Sequence, residues 1–256
     1  MQRKFFNEAQ RDYLINTIKN SMNKSTIEEI RTRFDNDVER FSNLDTGQIS
    51  TIDANVSLEL ITDAAKRIKP RARNILDIGC GAGNYTLKML SKLPNLDCTL
   101  IDLSKPMLNR AFERVSKETT SSVKILQGDI RAIDLPANHF DIILAGAVLH
   151  HLRDEEDWEF VFTKLYTVLN EGGCLMMSDI VTQDSVLLTD FFWERYGDYL
   201  EKLGGADYRK KVLDYVAKED SPRSLNFQLD LMKRVGFSAT EILHKNVCFA
   251  AYCGIK

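Results

Sequence analysis

Long apolar runs are missing from this 256-residue chain: none approaches the roughly 20 residues that a membrane-spanning helix needs. The opening residues carry charge at Arg3, Lys4 and Glu8 with no apolar stretch behind it, so no secretory leader is expected and the chain reads as cytoplasmic. Cysteine is sparse and unpatterned. Cys80, Cys98, Cys174, Cys248 and Cys253 are odd in number and form no C-x-x-C, which reads as reduced, buried thiols. The four histidines do not stand at ligand spacing from those cysteines, so no metal is expected. Strong positive charge is also absent: the net charge is −3, which disfavours a protein built around phosphate contacts and makes nucleic acid an improbable partner. There is no internal repeat and no low-complexity tract. A hydrophobic content of 44% and a charged content of 28% place the chain with ordinary globular domains, long enough for one large α/β unit with additions.

One further absence is specific. The dinucleotide fingerprint G-x-G-x-x-G, begun at Gly79 and Gly81, needs a glycine at position 84, where this chain has Asn84. What stands there instead is D-x-G-x-G-x-G, from Asp77 to Gly83, closing the apolar run Ile75, Leu76, Ile78. An apolar run ending in glycines reads as a buried strand turning sharply into a helix, with the backbone free to pass close to a ligand. In an open α/β sheet that is where a nucleotide-like cofactor is cradled.

Around this turn the pattern alternates. Strands are expected at 74–78, 98–102, 123–127, 140–145 and 173–179, with helices at 84–92, 105–117 and 154–169, which makes a parallel sheet covered on both faces. Residues 1–70 read as helical. Ala9, Tyr13, Ile15 and Ile18 suggest one apolar face, Ser25 to Glu28 fits a capping box, and 55–68 carries a broad apolar stripe. Residues 182–226 interrupt the alternation with two helical stretches parted by Gly204 and Gly205. A helix over 225–235, capped by Gly236, leads to an antiparallel strand pair at 238–244 and 247–254. Two regions are therefore expected: an N-terminal helical cap and cofactor-side lid over 1–70, and a cofactor-binding domain over 71–256 with a helical insertion at 182–226.

Chemistry concentrates at the strand ends. Asp102 ends the second strand, 19 residues beyond Gly83, and a carboxylate there can accept from both hydroxyls of a ribose. Ser104 then caps a helix, and Leu103 and Met107 offer apolar faces to a flat ring. Asp129, beside Ile130 after the third strand, can accept from an adenine amino group. Small residues from Ala145 onward let backbone carbonyls face a cationic tail, and His150 and His151 stand at the rim.

These series, Asp77–Gly83, Asp102, Gly128-Asp129, Ala145–His151 and Leu169-Asn170-Glu171-Gly172-Gly173, resemble the class I S-adenosylmethionine-dependent methyltransferases. The resemblance implies a Rossmann-like, doubly wound seven-stranded sheet with its last strand antiparallel, and S-adenosyl-L-methionine as cofactor. It implies that Asp77, Gly79, Gly81 and Gly83 form the cofactor turn. Gly79 and Gly81 then approach the methionine part, Asp102 the ribose and Asp129 the adenine, while Ala145 offers a carbonyl to the amino-acid end. A second similarity, carried by Phe34-Asp35, Arg40-Phe41-Ser42-Asn43, Gly128-Asp129-Ile130-Arg131 and Asn246-Val247-Cys248-Phe249, is to the carboxy-S-adenosylmethionine synthases of tRNA wobble-uridine modification. This chain departs from those enzymes in the composition of its glycine turn, at Phe41, where they tend to carry tyrosine, and in its insertion. On that similarity Arg209 is a candidate carboxylate binder.

Methyl transfer to a small-molecule acceptor is the leading expectation, with His150 and His151 as candidate bases where the acceptor must lose a proton. The plainer reading is that both histidines cap the fourth strand and bond to backbone. Trp193, Tyr196 and Tyr199 line an acceptor pocket or pack the insertion on the sheet, and Arg209-Lys210-Lys211 holds an acidic substrate or forms a solvated face. The 34–43 segment closes over the cofactor, with Arg40 reaching its carboxylate, or merely connects two helices. A cofactor-modifying enzyme and a non-catalytic binding protein are the competing functions; the sequence leaves the acceptor and the oligomeric state open.

Overall fold

The computed structural model describes residues 24–256; the apolar face expected at Ala9, Tyr13, Ile15 and Ile18 lies outside them. Seven strands form one sheet: β1 (Asn74–Ile78), β2 (Asp97–Asp102), β3 (Val123–Gln127), β4 (Phe140–Gly146), β5 (Leu169–Ile180), β6 (Ala239–Asn246) and β7 (Phe249–Ile255). Their order is β3-β2-β1-β4-β5-β7-β6. The first five pair in parallel, and β7 runs antiparallel to both β5 and β6. This is the mostly parallel sheet that the alternating pattern predicts.

Central strands are buried on both faces, so they read as unbroken apolar runs rather than alternating ones. Ile142, Ile143, Leu144 and Ala145 of β4 are all fully buried. Successive side chains point to opposite faces, and two cores result. On one face Ile78, Ile143 and Leu175 meet Trp158, Phe162 and Leu165 of α7 (Glu155–Val168) and Leu231 of α9 (Leu225–Val235). On the other, Ile75, Leu100 and Leu144 meet Leu58, Ile61 and Ala65 of α4 (Ala54–Ile68), Met89 of α5 (Asn84–Lys92) and Leu108 and Val115 of α6 (Lys105–Val115).

The remaining helices lie over the carboxyl ends of the strands. They are α1 (Ile27–Asp35), α2 (Val38–Ser42), α3 (Leu44–Gly47) and α8 (Val186–Glu219), the last broken at Gly205, where φ is 83° and ψ 178°. The break falls at the glycine pair that sequence marks as a boundary. The capping box of α1 is one residue later than expected: Thr26 is the N-cap and exchanges hydrogen bonds with Glu29. Ser25 instead turns into the protein and donates its backbone N–H to the Lys218 carbonyl, tying the cap to the end of α8. A third apolar cluster, including Ile52, Tyr196, Leu200, Val216 and Phe249, seats α8 on the sheet edge.

Candidate active site

The order of strands reverses between β1 and β4, and the parallel strands β1, β2, β4 and β5 deliver their last residues to one edge there. Such a switch point leaves a crevice outside the strand ends. Gly79 follows β1 with φ of +62°, and a Cβ on it would fall 2.4 Å from Val148 Cγ2, so both backbone and space demand glycine. Gly81, at φ of +50°, has nothing within 4 Å of where its Cβ would be and faces the open cleft. Gly83 packs instead on Val115 and Ala111 of α6 and does not line the cleft. Asp77 also stays out of it: fully buried, it accepts a 2.6 Å hydrogen bond from Thr86 Oγ1 and pins the start of α5. Burial pushes its carboxyl pKa up to about 7.

Asp102 ends β2 at the cleft wall. Its Oδ2 accepts from the Gly81 N–H at 2.9 Å and its Oδ1 from the Ser104 N–H at 2.8 Å. Burial outweighs these bonds and raises its pKa to about 6. Leu103 and Met107 form the adjoining apolar wall, and Asn84 closes the turn. The Asn84 amide donates to the Phe41 carbonyl at 2.9 Å while its Oδ1 accepts from Arg114, so the position that a dinucleotide enzyme would fill with glycine here bolts the cap to the turn.

The cleft of about 110 Å³ runs into an annex of about 70 Å³ lined by Asp129, Ile130, Leu103 and Val148. Asp129 is clamped by Arg131, whose Nε and Nη2 donate to its two oxygens at 2.9 and 2.6 Å. Burial opposes the charge, but those bonds hold the Asp129 pKa below the usual carboxylate range. Ala145 lies deeper than expected, fully buried and paired with Ile78 and Met177 inside the sheet. The cleft is met one and two residues later, by Gly146 and Ala147. A Cβ at Gly146 would strike the Tyr85 ring at 2.5 Å.

On the other side of Tyr85 a chamber of about 370 Å³ opens beneath α8. It shares Phe34, Phe41, Gln48, Tyr85, Ala147 and His151 with the cleft, and Tyr208, Tyr215 and Phe249 are among its other walls. Arg40 faces this chamber, not the cleft, with its guanidinium over Phe41 and a 3.0 Å bond to Asp37. Of the aromatic residues singled out in the insertion, Tyr196 lines the chamber; Trp193 and Tyr199 do not, and the Tyr199 hydroxyl donates to the Ile49 carbonyl. Lys211 stands at the chamber wall, whereas Arg209 is held outside by Glu201 and Lys210 by Asp214.

His150 and His151 follow β4 on a short 3₁₀ turn with their rings 4.3 Å apart. His150 Nδ1 lies 2.5 Å from Asp179 Oδ1, at the end of β5, and its Nε2 is 3.5 Å from Asp220 Oδ1. Burial disfavours the imidazolium, but the Asp179 and Asp220 carboxylates overcome it and push the pKa up to about 9. Burial and the charge of His150 drive His151 the other way, well below the usual histidine range. Asp179 and Asp220 escape sequence reasoning, because neither belongs to a motif and Asp220 reaches the site only through the fold of α8.

Residues 75–173 match the family model described as "Methyltransferase domain". The chain is 28% identical over 157 residues to malonyl-(acyl-carrier protein) O-methyltransferase of a Paenibacillus species, covering 58% of this chain and 56% of that protein, so it spans little more than half of that relative's length. It is 27% identical over 207 residues to carboxy-S-adenosyl-L-methionine synthase of a Shewanella species, covering 78% of this chain and 82% of the relative. Its fold is shared with human N-acetylserotonin methyltransferase in complex with S-adenosylmethionine, at a TM-score of 0.60 and 14% identity, over 98% of this chain and 68% of that one.

Proposed function

We propose, for a chain that belongs to the class I S-adenosylmethionine-dependent methyltransferase superfamily, that it moves a methyl group to a small-molecule acceptor held in the chamber beneath α8. The residues present fit the cofactor. Gly81 leaves open space where any other residue would put a Cβ. Both Asp102 oxygens border the cleft with lone pairs to spare beyond their single backbone bonds. Asp102 would hold the ribose, Leu103, Ile130 and Asp129 the adenine, and Gly79, Gly146 and Ala147 the amino-acid end. S-adenosyl-L-methionine, when bound, supplies an activated methyl group on a sulfonium that an acceptor displaces in line.

The chain's part is orientation and exclusion of water. The observation that supports the reading is the shared wall: Phe34, Phe41, Gln48, Tyr85, Ala147 and His151 border cleft and chamber alike, so an acceptor in the chamber would lie next to a cofactor in the cleft. Among the described residues His151 is the one that borders cleft, annex and chamber together, which supports a part for it in orienting the acceptor. The 24–53 segment acts as the lid, since Phe34, Phe41 and Gln48 come from it, while α4 packs in the sheet core and belongs to the cofactor domain.

The test is to incubate the protein with methyl-tritiated S-adenosyl-L-methionine and a fractionated cell extract. Label is expected in the low-molecular-weight fraction. Label confined to RNA or protein sinks the small-molecule reading. Mass spectrometry showing a carboxylated cofactor retained by the protein points to the synthase branch instead; Arg209, the cation singled out for that role, is turned away from the chamber.

A further inference from the structure

At the chamber wall His150, His151 and Asp220 each bring a ligand atom to within 4.8 Å of the others, with His150 Nε2 and His151 Nδ1 the ring atoms nearest Asp220 Oδ1. We propose that these three atoms bind one divalent transition ion, with Asp179 bracing His150 from behind and the remaining coordination position open to the chamber. The site stands on its own geometry; only its use in holding an acceptor oxygen rests on the function proposed above.

Three observations carry the inference. First, Asp220 Oδ1 is fully buried and has no hydrogen-bond partner, although the residue is only 5% exposed. A buried carboxylate oxygen left this way carries a large desolvation cost unless a proton or cation answers it. Second, the spacing suits a metal. Asp220 Oδ1 lies 3.5 Å from His150 Nε2 and 3.6 Å from His151 Nδ1. Ligands about 2.0–2.1 Å from a tetrahedral ion stand about 3.3 Å apart, so the two distances to Asp220 need to shorten by only a few tenths of an ångström, and the two imidazoles, within 4.8 Å of each other, close on the ion by turning their rings. Third, His150 already has the arrangement that fixes a metal-binding imidazole. Its Nδ1 faces the Asp179 carboxylate at 2.5 Å, which fixes the ring with Nε2 turned to Asp220, so an ion that displaces the Nε2 proton finds the lone pair aimed at it.

Apart from His150, whose Nε2 proton the ion would replace, the neighbouring cations make their hydrogen bonds elsewhere. Arg33 is forked onto Glu219, and Arg153 donates to the Glu219 and Ser25 carbonyls and to Ser221 Oγ. Lys24 binds the backbone carbonyls of Ala217 and Asp220. His151 must place its proton on Nε2, giving up a long 3.4 Å contact with the Glu219 carbonyl. Two imidazoles and one carboxylate suit zinc, cobalt(II) or iron(II) better than magnesium or calcium. All three ligands line the chamber, so an acceptor hydroxyl or carbonyl oxygen can take the open position.

The experiment uses the full chain, stripped with chelator and titrated with zinc chloride. Bound zinc is counted by plasma mass spectrometry, and S-adenosylhomocysteine affinity is measured in the same samples. One zinc per chain is expected, weakened at least a hundredfold in Asp220→Asn and His151→Gln and about 10- to 100-fold in Asp179→Asn. S-adenosylhomocysteine affinity in Asp220→Asn should stay within a fewfold of wild type. Absence of stoichiometric zinc in a wild-type protein that still binds S-adenosylhomocysteine overturns the site and leaves the methyltransferase reading standing. Equal zinc binding in wild type and both ligand variants overturns it too. If the variants do not fold, cobalt(II) added to wild type decides: an intense tetrahedral visible spectrum supports the site, and the spectrum of hydrated cobalt overturns it.

Discussion

At the scale of single residues, two carboxylates of the same strand-end region have opposite work. In the proposed site Asp102 accepts from both ribose hydroxyls, which only the ionised carboxylate does with both oxygens, and burial raises its pKa to about 6. S-adenosylhomocysteine affinity is therefore expected to hold above pH 7 and to fall, by up to tenfold per pH unit, as pH drops through about 6; Asp102→Asn should bind weakly with no such pH dependence. Calorimetry between pH 5 and 8 checks both. Asp77 does structural work. Its pKa stands at about 7 in the fold against an ordinary 3.8. The folded state thus favours the protonated acid, and the resulting stability is present below the ordinary value and lost as pH rises through about 7. A difference of that size corresponds to roughly 4 kcal/mol. Melting temperature should decline from about pH 4 to 7 and level off above it in wild type, and decline much less in Asp77→Asn, which keeps an acceptor for Thr86 Oγ1; parallel declines in the two proteins would count against this account. The sequence pattern could not separate these two roles, because D-x-G-x-G-x-G records where Asp77 sits along the chain and not which way its side chain turns. The same holds for Gly83, which serves the packing of α6, and for Ala145, one pleat too deep.

At the scale of elements, periodicity set β1, β3, α5 and α9 to the residue and most other sheet elements to within two, because buried strands and amphipathic helices write their environment into local pattern; β5 starts at Leu169, four residues before the expected 173. The chamber was not legible in that way. Its walls come from α1, α2, the α5 tyrosine, β7 and the far half of α8, brought together only by tertiary packing. Two joints hold that roof. Asn84 links the glycine turn to the Phe41 carbonyl. Arg33 pairs with the buried Glu219 and lies between the Phe34 and Tyr215 rings. Removing Arg33 leaves Glu219 without its partner, so Arg33→Met is expected to cost about 3 kcal/mol and to loosen the chamber, read out by urea denaturation and by faster amide exchange in α1 and the end of α8. The break in α8 is a further element-level device. Gly205 has a positive φ that other residues rarely adopt, though its Cβ direction is open. Gly205→Ala should therefore destabilise by about 1 kcal/mol through backbone strain alone.

At the scale of the whole molecule, the 24–53 segment and the strand ends form a cleft whose outer wall is Phe34, Phe41 and Gln48. Entry of a cofactor with an adenosine and an amino-acid end requires that wall to part. Hydrogen exchange is expected to be faster in 24–53 than in β1, β4 and β5, and to slow in 24–53 on addition of S-adenosylhomocysteine. Exchange unchanged by the ligand would show that the segment is a fixed wall.

The antiparallel β7 lies between β5 and β6 although it follows both in the chain. That order has a consequence for how the molecule assembles. Until β7 docks, β6 has no neighbour in the sheet, and β5, whose central residues are wholly buried, presents a naked apolar edge. The half-built sheet is therefore the species most exposed to sticking to another copy of itself, and the step that rescues it is docking of the β6–β7 hairpin onto that border through β7. Concentration-dependent loss of refolding yield is expected to arise in that interval, with the docking of Phe249–Ile255 as the step that ends it.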